Sequence, residues 1–246
     1  MLDEVRNTTL TILNKNNFGS LNVSDFNRLA KLAQLQIFNG YVKAYNELVN
    51  MQNSMMSGEE YADRLAVVQL NIENFLVFDE NITEEGEQRV LKLPSMDRTS
   101  SVLYKVMELK LYMEEVLISI AEKVTPGIFN ASKISYIEEP TVDFPVYMIS
   151  GDTILTQPSV LDLRGGYNWK VDYLRMPKDP KWTYITLSGG HPIFDPTAND
   201  FQDLEIGQDD FPRIVRLICE FAGLVIRDRD VVQYMAAKDQ QEEQKK

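Results

Sequence analysis

Apolar positions early in the chain recur at helical spacing. Phe26, Leu29, Ala30, Ala33, Ile37, Tyr41, Tyr45 and Leu48 stand three or four residues apart, which places them on one face of a helix over 24–49 with Ser24 as its N-cap. A second stripe, Ala62, Leu65, Val68, Ile72, Phe75 and Leu76, follows Ser57, whose hydroxyl has capping-box spacing to Glu60. Neither helix can bury its stripe alone. An antiparallel pair, packed together or on a neighbouring subunit, is therefore expected.

The period changes beyond residue 78. Glu84, Glu85 and Gly86 read as a turn, and Val90, Leu91, Lys92 and Leu93 as a short strand stopped by Pro94. Residues 102–124 fit two periods. Val106, Leu109, Met113, Val116, Ile120 and Val124 suit a helix, whereas Val102, Tyr104 and Val106, then Val116, Ile118 and Ile120, alternate as strands do, and both readings stand. Thr125 and Pro126 have the N-cap and first-turn positions of a short helix over 126–134. Prolines and glycines then separate extended segments at 144–149, 153–156 and 182–187, the pattern of an antiparallel sheet.

The centre of that module is a strand with Trp169, Val171, Tyr173 and Arg175 on one side and Lys170, Asp172 and Leu174 on the other. Pro177 and Pro180 end it. A proline offers no N–H to a ladder, so Pro177-Lys178-Asp179-Pro180 is expected as a stiff, exposed connector at a sheet edge. Further on, Asp209 and Asp210 open a helix striped with Phe211, Ile214, Leu217, Ile218 and Phe221 and ended by Gly223, with Leu224 placed for the apolar contact of such a cap. Asp228 caps a last helix with Val231, Val232, Tyr234 and Met235, and the polar run after it is a solvated tail. The expected class is α+β. Its parts are an N-terminal helical hairpin over 1–77, a mainly antiparallel β module over 78–200, a C-terminal helical pair over 201–237 and a disordered tail over 238–246.

Composition narrows the function classes. Of 246 residues, 44% are hydrophobic and 25% charged, as in ordinary globular proteins. The net charge of −12 repels phosphate backbones and argues against nucleic-acid binding through a basic patch. Cys219, the single cysteine, makes no internal disulfide and reads as a small core residue. With no leader-like start and no apolar run of the roughly 18 residues a membrane span needs, a soluble, unsecreted protein is expected.

Two stretches invite chemistry. Residues 14–25 have the glycine and apolar positions of a calcium-binding loop at Gly19 and Leu21, but Asn14, Asn16 and Phe18 replace carboxylate ligands and Asp25 replaces the bidentate glutamate. The simpler account is a turn around Gly19. His191, the only histidine, lies in Ser188-Gly189-Gly190-His191-Pro192 with no nucleophile or carboxylate at a motif spacing, so a turn accounts for it and a hydrolase reading has no named substrate. No catalytic residue, cofactor or metal is expected.

Three stretches resemble virion proteins of the crAss-like tailed bacteriophages. They are Leu13-Asn14-Lys15-Asn16-Asn17-Phe18-Gly19 leading to Phe26-Asn27, the strand from Val171 through Met176, Pro177 and Pro180 to Trp182, and Ile218-Cys219-Glu220-Phe221-Ala222-Gly223-Leu224-Val225-Ile226-Arg227-Asp228. The resemblance implies a structural subunit of the head-to-tail connector, a ring stacked below the portal in the virion, twelvefold like many portals. Its partners would be further copies of itself, the portal and other tail proteins, with DNA passing through without sequence-specific binding. Tyr173, Arg175, Pro177, Pro180 and Trp182 are then candidate interface residues, Arg and Trp being favoured in such contacts. Trp182 is equally explained as the cap of its own domain's core. The alternative function is a calcium-responsive binding module on residues 14–25.

Overall fold

A computed structural model describes residues 1–15, 21–53, 59–85, 90–93, 103–135, 139–159, 163, 166–186 and 192–222. The elements in chain order are α1 (Leu2–Lys15), α2 (Val23–Asn53), α3 (Glu59–Glu73), β1 (Leu76–Asn81), β2 (Thr83–Glu85), β3 (Val90–Lys92), β4 (Leu103–Met113), β5 (Val116–Lys123), α4 (Pro126–Ser132), β6 (Val146–Ser150), β7 (Thr153–Gln157), β8 (Tyr167–Arg175), β9 (Tyr184–Thr186), β10 (Pro192–Phe194) and α5 (Phe211–Phe221). The class is α+β. Two compact units form, Met1–Gly40 with Asp179–Lys246, and Tyr41–Lys178. The compact units cut across the sequence-ordered modules 1–77, 78–200 and 201–237, because α1 packs on α5 and the division between the units falls within α2.

The terminal unit is built around helices. Leu2, Val5 and Leu13 of α1 and Phe26, Ala30, Ala33 and Ile37 of α2 are buried, as are Ile214, Leu217 and Ile218 of α5. Each large side chain so buried contributes roughly 1.5–3 kcal/mol. The Asp203 carboxylate accepts from the Leu2 N–H at 2.8 Å, satisfying one of the unpaired donors at the start of α1. Helix α1 was not anticipated, although its buried residues stand three to eight apart on one face. The first hydrogen bond of α2 runs from Phe26 N–H to the Asn22 carbonyl, so Asn22 holds the capping position and Ser24 lies inside the first turn. Cys219 is half-buried rather than core, and burial pushes its thiol up from the ordinary value. The capping glycine at 223, the last helix and the tail lie outside the described residues, as do residues 16–20 of the calcium-like loop, Ser57, and His191.

The second unit is a curled eight-stranded sheet in the order β1-β8-β4-β5-β6-β7-β3-β2. All pairs are antiparallel except β5 with β6, which is parallel. Residues 102–124 resolve as the hairpin β4–β5. Its two-residue turn, Glu114 and Glu115, has positive φ at both positions (48° and 70°), the twist that matches flanking strands. Register shifts against β8 between Leu103 and Lys105 and between Val106 and Glu108 explain the helix-like spacing. They carry Val106 and Leu109, three residues apart, into one core with Leu111, Ala121, Trp169, Val171 and Tyr173.

Several expectations need correction. Helix α3 ends at Glu73, so Phe75 and Leu76 belong to the turn and strand that follow. Glu84 and Glu85 lie in β2 and not in a turn. Strand β6 begins at Val146, leaving Phe144 80% exposed. Strand β3 and helix α4 form as expected, with Thr125 as N-cap and Pro126 in the first turn of α4. Most consequentially, β8 is no edge: it lies between β1 and β4, and Pro177 and Pro180 after it are buried. Its near-continuous burial from Val171 to Leu174 is that of an interior strand, which the alternating pattern hid.

Candidate interface on the outer face of the sheet

Of the residues singled out from the sequence, Tyr173, Pro177, Pro180 and Trp182 are buried and Arg175 is half-buried. Tyr173 is fully buried, with its hydroxyl donating to Glu80 Oε2 at 2.6 Å. Arg175 donates from Nη2 to the Asn74 carbonyl at 2.9 Å and covers the Phe75 ring at 5.5 Å. Trp182 belongs to the terminal unit and is 2% exposed. Its ring stacks on Tyr184 and Phe194, each at 5.8 Å, and lies under the Arg6 guanidinium at 4.0 Å. The indole N–H donates to Asp3 Oδ1 at 2.9 Å, and the Trp182 backbone N–H to Asn27 Oδ1 at 3.0 Å. Buried Tyr173, Pro177, Pro180 and Trp182 therefore present no surface to a neighbour; they hold their own units together.

The accessible feature is the outer face of β1, β8, β4 and β5. In register across it stand Asn81, Lys170, Lys110 and Ile120, a row fixed by the ladder pairs. A register shift in β1 between Val77 and Glu80 leaves Asp79 at φ 52°, a conformation that Asp tolerates. This turns the Asp79 N–H toward Asp172, whose Oδ1 accepts it at 2.8 Å. Asp172 Oδ2 lies 2.5 Å from Lys110 Nζ, which also reaches Asp79 at 3.2 Å. The Tyr112 hydroxyl donates to Asp79 at 2.9 Å, and Lys170 sits 4.4 Å over the Tyr112 ring while pairing with Glu115 at 3.1 Å.

The charges in this network fix one another. The hydrogen bond from Tyr112, then that from Lys110, holds the Asp79 carboxyl below its ordinary value. The same bond to Asp79 raises the Tyr112 phenol. Burial draws Lys110 down, but hydrogen bonds to Asp172 and Asp79 offset it and the net shift is upward. An acid group with a lowered folded pKa stabilises above its unfolded value, about 3.9 for Asp, and that contribution is lost as pH falls through the lower folded value. The unfolding midpoint in urea, followed from about pH 5 to pH 2, is accordingly expected to fall more steeply for the natural chain than for Asp79→Asn. Equal slopes would contradict the assignment.

Beside this network the chemistry changes from charged to apolar. Val116 is 62% exposed, Leu117 45%, Ile118 38% and Ile120 52%, next to Met113 at 39%. On the same strand the inward residues are the small Ser119 and Ala121, both buried. Strand β5 is thus turned inside out relative to a solvent-facing strand, with its branched apolar residues outside. An apolar centre beside ordered ion pairs is the anatomy of a protein–protein contact. It offers no paired nucleophile and base; its lysines and carboxylates are engaged with one another. The sequence showed the alternation of Val116, Ile118 and Ile120 but not which face it served; the small residues between them were the available clue.

A scan of the chain against protein-family models finds no match, and neither does a comparison with curated proteins.

Proposed function

We propose that this chain is a structural subunit of the head-to-tail connector of a tailed bacteriophage, which assembles with copies of itself into a ring below the portal. The observation that favours an assembling protein is the exposed apolar row of β5, because contiguous apolar surface beside a polar rim marks a contact between chains. The phage assignment rests on the resemblance of the three sequence stretches. The net charge of −12 suits a conduit wall that repels phosphates, so DNA slides through without being gripped. Portal and tail proteins would be the neighbours above and below, and no membrane is involved in this reading.

Within the ring, β5 of one copy meets the next copy. Ile118→Glu combined with Ile120→Glu is expected to abolish self-association while leaving the monomer's thermal unfolding essentially unchanged, since both side chains already face solvent. Sedimentation velocity of the purified chain, alone and mixed with its portal, reads the outcome. Assembly undiminished in the double variant would remove β5 from the contact. Particles that lack the chain would overturn the connector assignment itself.

A further inference from the structure

Within the sheet unit, a cavity of about 480 Å³ opens where β3, β4, β5 and the β6–β7 turn converge. Its floor is apolar, formed by Leu93, Leu103, Val106 and Ile149, and the half-open ring of Tyr104 stands in its wall. Lys92, Lys105 and Lys123 line it, and Asp152 is the one carboxylate among its described lining residues. In a chain of net charge −12, this concentration of cations is a local reversal of sign. Lys105 donates only to a neutral acceptor, Asn46 Oδ1 at 3.4 Å, and Lys123 has no carboxylate partner among the described residues. Both ammonium groups therefore have donor capacity to spare.

We propose that this cleft is a binding site for a small phosphorylated ligand with a flat, partly apolar body, the chemistry of a mononucleotide. The volume lies within the range of small-molecule sites. The apolar floor and the Tyr104 ring receive the planar part, where stacking and burial act together. The lysine rim receives the phosphate through charge-assisted hydrogen bonds, Lys105 from β4 and Lys123 from β5 reaching from adjoining strands. Neither element alone defines the ligand: the lysines select the anion, and the floor selects a body attached to it. The site does not depend on the ring reading, since it lies within one chain.

Isothermal titration of the full chain at low ionic strength tests this with adenosine monophosphate, adenosine and inorganic phosphate as separate probes. The monophosphate is expected to bind saturably at one site, with the nucleoside and phosphate each weaker by about tenfold or more. Lys105→Glu and Lys123→Glu should each weaken the monophosphate by at least about tenfold, while Lys31→Glu, at a solvent-accessible position of α2 within the terminal unit, changes it little. Both substituted lysines are exposed, and Lys123→Gln serves if a charge reversal disturbs folding. No saturable binding at millimolar monophosphate overturns the site. So does equal binding by inorganic phosphate, or an equal loss in Lys31→Glu.

Discussion

Trp182→Ala is expected to destabilise the terminal unit by about 3–5 kcal/mol, the range for removing a buried tryptophan. Several losses add at this position. The cavity left behind would be walled by Tyr184 and Phe194, both of which stack on the missing ring. Arg6 would lose the ring beneath its guanidinium, whose pKa is already lowered by burial and only partly restored by Asp3. Asp3 would lose the indole N–H. Denaturant unfolding followed by helical circular dichroism measures the effect. Trp182→Phe should recover much of the packing and leave chiefly the missing hydrogen bond to Asp3, a cost of about 1–3 kcal/mol for the unsatisfied partner. If Trp182→Ala instead lost less than about 1 kcal/mol while abolishing assembly, the interface reading of this residue would return.

Breaking the Asp172–Lys110 pair from one side should be nearly as costly. Removal of one partner of a buried pair typically costs about 3–5 kcal/mol. Asp172→Ala is expected toward the lower end, because Lys110 keeps Asp79 at 3.2 Å. The Asp79 N–H is a separate loss, since Asp172 Oδ1 accepts it at 2.8 Å. Pairing Asp172→Leu with Lys110→Met separates these terms. Removing both charges should restore most of the stability, leaving about 1–3 kcal/mol for the N–H without an acceptor. A double variant no better than Asp172→Ala would mean that the ion pair itself contributes little and that the backbone contact dominates. The measurement is the same denaturant titration, with the slope checked for constancy between variants.

The parts of the fold that could be read from sequence are those where burial and local period agree. Helix α2 shows this well, since Phe26, Ala30, Ala33 and Ile37 are buried on the face that their spacing defines. The α4 start at Thr125 and Pro126 was legible for another reason: proline's geometry is local and needs no tertiary partner. Residues 102–124 were not legible because the register shifts in β4 put core residues at three-residue spacing, and the turn uses Glu114-Glu115 where Asn-Gly would have announced a hairpin. Strand β8 was found but misplaced. Its position depends on β1, ninety residues earlier in the chain, and no local pattern reports such a neighbour. The candidate contact on β5 suffered the same limit, since alternation identifies a strand's two faces without saying which one meets water.

The discontinuous terminal unit has a consequence for how the chain is made. Strand β8 completes the sheet unit by Arg175, whereas α5, the partner of α1, begins only at Phe211. At about 5–20 residues per second, α1 leaves the ribosome roughly 10–40 s before α5 does. During that interval its buried face, Leu2, Val5 and Leu13, lacks α5 and is open to a holding chaperone. Ribosome-bound chains long enough for β8 to clear the exit tunnel but too short for α5 to do so should accordingly protect the sheet from protease while α1 is cut. The order of synthesis thereby leaves α1 waiting for the helix on which it packs.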